Sequence, residues 1–198
     1  MIDIEGTQRF HGHMCPGLAI GMRVAEVALR EIGPHSADEE VVAIVETDMC
    51  GVDAIQYLTG CTFGKGNLIH LDYGKNAFTF IRRSDGKAVR IVVRPNATDA
   101  PDPEHSALFA KVLGGEATPE ERARFQALHS QRAYRVLDLP EATLFDVRPV
   151  EPVIPKRASI HRSLPCAACG EMTMETRTRN LGGQVLCLPC FEAAERRL

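Results

Sequence analysis

From residue 16 to about residue 32, Leu18, Met22, Ala25, Leu29 and Ile32 recur at helical spacing, with Ile20, Val24 and Val27 in a second stripe beside them. This pattern predicts a helix that is apolar around much of its girth. Gly17, Gly21, Ala25 and Ala28 form a smooth ridge along it, suited either to a neighbouring backbone of the same chain or to a dimer partner. Gly33-Pro34 ends the helix. The β-branched run Val41-Val42-Ala43-Ile44-Val45 reads as a buried strand that delivers the chain to the polar turn Asp48-Met49-Cys50-Gly51-Val52-Asp53, followed by a short helix to about residue 58.

Residues 59–67 are too rich in glycine for a helix or a central strand. Residues 68–71, 77–82 and 88–94 look like strands, the last two joined by the turn Ser84-Asp85-Gly86-Lys87. Helices are predicted from 103 to about 113 and, capped at Thr118-Pro119-Glu120-Glu121, on to about 137, and a last strand over 143–147. The expected fold class is therefore α+β, a core domain of mixed sheet packed with helices over residues 1–150. Pro149, Pro152, Pro155 and Pro165 punctuate the next stretch, so 151–164 reads as a linker before a small module at 165–198.

Length and apolar fraction support one ordinary core plus something small. A net charge near −3 gives no general attraction to nucleic acid or to an anionic membrane. The charge is uneven: residues 156–198 carry seven Lys or Arg against four Asp or Glu. Residues 1–10 show no secretory pattern and no apolar run is long enough to cross a bilayer. The cysteine count is odd, seven, and four of them form two CxxC pairs, which favours reduced thiols, metal and a cytoplasmic setting over disulfides.

Cys166-Ala167-Ala168-Cys169 and Cys187-Leu188-Pro189-Cys190, seventeen residues apart, have the spacing of a four-cysteine structural zinc site. Four thiolates in tetrahedral array leave no open position, so this zinc would hold a fold and do no chemistry. A knuckle at Cys169-Gly170, a hairpin around Gly182-Gly183 and a helix from Cys190 resemble a treble-clef finger. Its basic residues Arg162, Arg177, Arg179, Arg196 and Arg197 are few enough to be a solvated face, and nucleic acid is not an expected partner.

The other chemistry lies in His11-Gly12-His13-Met14-Cys15-Pro16-Gly17. If residues 11 to 15 are extended, His11, His13 and Cys15 share one face, and Pro16 at the first helical position makes Cys15 the N-cap. The helix dipole there would favour its thiolate. Cys50 and Cys61 also sit in turns beside glycine or polar residues, and are brought towards His13 and Cys15 as one pocket with Asp48, Asp53 and Lys65 at its rim. Such a set could hold a second, transition metal with an open position, polarising a small carbonyl or carboxylate while Asp48 or Lys65 moves a proton. A redox pair of thiols, or inert burial, are the alternatives.

The segments Phe10–Gly21, Cys50-Gly51-Val52-Asp53-Ala54-Ile55-Gln56 and Thr59-Gly60-Cys61-Thr62-Phe63-Gly64-Lys65-Gly66-Asn67 closely resemble the FmdE family, named after the E component of formylmethanofuran dehydrogenase, across most of residues 5–150. The resemblance implies an α+β core that dimerises, a cavity lined by the grouped His and Cys residues, and an accessory role beside a molybdenum or tungsten enzyme. The terminal finger looks like the auxiliary module of some members. No ferredoxin-type cysteine spacing and no molybdopterin motif are visible, so the large-subunit chemistry is not expected here. A metal-, pterin- or nucleic-acid-binding adaptor and a purely structural component are the other classes.

Overall fold

The computed structural model describes residues 2–98 and 102–196, and the chain divides into two compact units between Arg157 and Ala158.

The first unit opens with a helix that hydrophobic periodicity does not reveal, α1 (Ile4–His11). Its signal is in the caps. The Asp3 carboxylate accepts the Gly6 N–H at 2.8 Å, and Gly12 closes the helix in the left-handed region, φ 98°. Then come α2 (Pro16–Glu31), β1 (Val41–Val45), α3 (Gly51–Thr59), β2 (Leu68–His70), β3 (Ala77–Arg82), β4 (Ala88–Val93), α4 (Pro103–Leu113), α5 (Pro119–Asp138), α6 (Glu141–Leu144) and β5 (Phe145–Pro149). The strand expected from 143 starts at Phe145, because Pro140 opens a helical turn first, its carbonyl accepting the Thr143 N–H.

The five strands form one mixed sheet in the order β2-β1-β3-β4-β5. β1 runs parallel to β2, and the other pairs are antiparallel. On one face Leu18 and Met22 of α2, Ile55 of α3 and Val136 of α5 bury against Phe78, Phe80, Ile91 and Phe145. The small-residue ridge of α2 is filled within the chain: a Cβ built on Gly21 would stand 2.2 Å from the Gly51 carbonyl oxygen. Helices α2 and α3 are thus in backbone contact at that point, which brings together the loops in front of both.

The second face is smaller, with Val42, Ile81 and Ala88 buried under Val150. Here Arg90 forms a two-pronged ion pair with Glu46, whose side chain is only 7% exposed. Residues 151–157, expected to be linker, are tied to this unit because Arg83 donates to the carbonyls of Pro155 and Lys156.

The second unit pairs β6 (Ser163–Pro165) with β7 (Met172–Met174), and β8 (Thr178–Leu181) with β9 (Gln184–Cys187), before α7 (Leu188–Glu195). Gly182 and Gly183, at φ 59° and 83°, make the β8–β9 turn. The helix begins two residues before Cys190, with Cys187 as its N-cap and Pro189 in its first turn. Arg197 lies outside the described residues.

Candidate metal centre

Three helix ends meet at one point. His11 is the last residue of α1, Cys15 the N-cap of α2 and Cys50 the N-cap of α3. One donor atom from each lies within 4.8 Å of the other two. His11 presents Nε2 to the Cys15 Sγ at 3.9 Å, while its Nδ1 is 2.7 Å from Asp53 Oδ2. A carboxylate on the far ring nitrogen fixes the tautomer that leaves Nε2 to ligate, the usual arrangement of a metal-bound histidine. One imidazole and two thiolates suit a borderline or soft ion, and three ligands leave a coordination position open.

The thiolate expected at Cys15 does not form by itself. The Leu18 N–H donates to Cys15 Sγ at 3.4 Å, as an N-cap should receive it, but the residue is 3% exposed and burial pushes the thiol up to about 11. Loss of the dielectric outweighs the helix terminus. An ion that displaces the proton would restore the balance.

Beside these donors opens a cleft of about 410 Å³ at the carboxyl ends of the parallel strands β1 and β2. His11, Cys50, Asp48 and Asp53 line it, with Val45, Val52 and Leu68. Met49 and Phe63 stand at its lip, 55% and 78% exposed. His70, at the end of β2, also lines the cleft; sequence reasoning passed over it, although its place on a strand parallel to β1 was the available signal.

Three expected members fall elsewhere. His13 does not share a face with His11, because α1 runs to His11 and Gly12 turns the chain in the left-handed region; its exposed ring lies against that of His11, centroids 4.6 Å apart, outside the donor group. Cys61 is fully buried beyond the far end of α3, its thiol donating to the Val41 carbonyl at 3.5 Å, and burial raises it above the ordinary thiol range. Lys65 is drawn the same way, donating to the carbonyls of Ser36 and Ala37 at 2.8 and 3.4 Å. The loop at 60–67 serves structure: fully buried Asn67 accepts from Thr62 and donates to Val41 and Asp38.

In the second unit the sulfurs of Cys166, Cys169, Cys187 and Cys190 also fall within 4.8 Å of one another. The Cys169–Cys187 separation is 4.0 Å, close to the ~3.8 Å edge of a tetrahedron with Zn–S bonds of about 2.3 Å. Backbone N–H groups of Cys169 and Cys187 lower the Cys166 thiol to about 6, whereas the crowd of neighbouring sulfurs pushes Cys190 up to about 12. A dication resolves that conflict, and four thiolates leave it no free position.

An α+β core carrying a His/Cys donor set, with a separate four-cysteine zinc-finger segment, defines a metal-binding protein of two units. Residues 10–146 match the protein family described as "FmdE, Molybdenum formylmethanofuran dehydrogenase operon", and the chain belongs to that family. Residues 160–196 match the prokaryotic dksA/traR C4-type zinc finger. A curated relative from Archaeoglobus fulgidus, named as a probable S-adenosyl-L-methionine-binding protein, is 37% identical over 195 residues, covering 93% of this chain and 51% of the relative. This chain therefore spans about half the length of that protein. A solved FmdE-like protein of the tungsten formylmethanofuran dehydrogenase type, from Syntrophus aciditrophicus, superposes with a TM-score of 0.62 at 25% identity, over 98% of this chain and 92% of that one. Among the described residues no helix is long and apolar enough to cross a membrane.

Proposed function

We propose that the core of this FmdE-family protein holds a transition metal on His11 Nε2, Cys15 Sγ and Cys50 Sγ, with its open position facing the cleft. In this reading the chain serves as a homodimeric accessory subunit to a molybdenum or tungsten oxidoreductase of the formylmethanofuran dehydrogenase type. The observation that carries the metal site is the meeting of three donors from three separate helix ends, with Asp53 setting the histidine tautomer. When bound, the ion would supply Lewis acidity. The chain's own part is to orient it through Asp53 and to hold a substrate in the cleft, with Asp48 able to accept a proton.

Metal analysis of the full chain tests the site. The expected result is two ions per chain, falling to one in Cys15→Ala, Cys50→Ala or His11→Ala; a single ion in wild type and variants alike refutes it. The accessory role is checked by co-purification with molybdenum- or tungsten-bearing subunits, and the dimer by light scattering; failure of either removes that part. A second reading follows the Archaeoglobus relative: a cleft of about 410 Å³ is in the range of small-molecule sites and could seat a nucleoside-sized ligand. Calorimetric titration with S-adenosyl-L-methionine tests it, and no heat at millimolar ligand rejects it.

A further inference from the structure

We propose that the core cleft is built for cationic or neutral ligands with an apolar body, and that it turns anions away even when the metal is present. The inference rests on the metal reading above for the charge of the loaded cleft. A bound imidazole ligand is neutral and two thiolates cancel a divalent ion, so the metal centre adds no net charge to its surroundings. What remains are the carboxylates of Asp48 and Asp53. Among the described residues lining the cleft there is no Lys or Arg, and Lys65, the cation nearest in sequence, is committed to the carbonyls of Ser36 and Ala37. A carboxylate entering the cleft would have to approach these two like charges to reach the ion, whereas an ammonium, amidinium or sulfonium meets attraction from the same groups.

Asp53 is engaged with His11, so Asp48, exposed at the carboxyl end of β1, is the group that a ligand cation would contact. The apolar half of the preference comes from Val45, Val52 and Leu68 in the wall, and from Met49 and Phe63 left in solvent at the lip. Large side chains held open around a concave site are ready to cover the body of a ligand.

Three molecules of one shape separate charge from size: benzamidinium, benzamide and benzoate. They are titrated into the zinc-loaded full chain at mildly alkaline pH and low salt, following the NMR signals of Met49 and Phe63, with metal content measured on the same sample. Benzamidinium is expected to bind at least about tenfold more tightly than benzoate, with benzamide between them, and the advantage should shrink with added salt. Asp48→Asn should narrow the ratio at unchanged metal content. Benzoate binding as tightly as benzamidinium, through direct ligation of the metal, overturns the proposal, as does the absence of binding by all three. A sample lacking the core metal sinks the metal reading alone, because Asp48 and Asp53 still dictate the same order in its absence.

Discussion

Gly21→Ala tests the contact that assembles the metal centre. The added methyl would sit 2.2 Å from the Gly51 carbonyl oxygen, 2.5 Å from its Cα and 2.7 Å from its carbonyl carbon, all backbone atoms that cannot rotate away. Restoring an ordinary contact of about 3.4 Å means driving α2 and α3 apart by roughly 1 Å. In an open helix the same substitution would stabilise by about 1 kcal/mol through helix propensity, so the sign of the effect is diagnostic. Overpacking of this kind costs about 1–3 kcal/mol, and a backbone-to-backbone clash lies at the upper end. Net destabilisation of about 1–2 kcal/mol would lower Tm by roughly 2–8 °C in a domain of this size. Gly51 follows Cys50 directly, so the same displacement carries one thiol away from Cys15 and should weaken the core metal. Gly17→Ala is the comparison, since its Cβ would meet the Cys50 Cβ at an ordinary 3.4 Å and should change Tm little. Thermal unfolding and metal analysis of both variants decide the matter: a Gly21→Ala protein that melts higher than wild type and keeps its full metal content refutes the reasoning.

Three further outcomes are expected from the same geometry. The hydrogen bonds from Arg90 hold the Glu46 carboxyl below its ordinary value, so their stabilisation is fully present above the normal carboxylate pKa and is lost as pH falls through the lowered folded value. Arg90→Met, which strands that buried carboxylate, should cost about 3–5 kcal/mol at neutral pH and flatten the acid limb of urea-unfolding stability; unchanged neutral stability speaks against the pair. Cys61→Ala should leave the metal count of wild type and lose about 1 kcal/mol of packing, and a missing core ion in that variant would return Cys61 to the site. Chelation of the full chain should collapse the NMR dispersion of residues 158–196 while the core signals persist, because the second unit's apolar cluster is little more than Leu186, its cysteines and Phe191; a finger spectrum unmoved by metal loss contradicts this.

Much of the fold is written in local pattern. The helix at Pro16–Glu31 follows its apolar stripes, the strand at Val41–Val45 its β-branched run, and α5 starts at the capping box of Thr118 and Glu121. Helix α1 escaped because its information lies in Asp3 and Gly12 rather than in apolar spacing. The site was legible in part. Cys15 as an N-cap can be read from Pro16, but a strand-like alternation through His11 and His13 cannot survive a helix that ends at His11. Cys50 and Cys61 look equivalent as thiols in turns, yet α3 separates them, one at each end.

By itself the sequence determined the periodic elements, the caps and the two CxxC pairs, all of which depend on neighbours a few residues apart or on a ligand spacing that a metal reads directly. Only the tertiary structure decided which thiol joins His11 and Cys15, and that the residue at the end of β2 shares their cleft. Those choices hang on the approach of Gly21 to Gly51 and on the parallel pairing of β1 with β2. Both are contacts between segments distant in the chain, and no local preference specifies them.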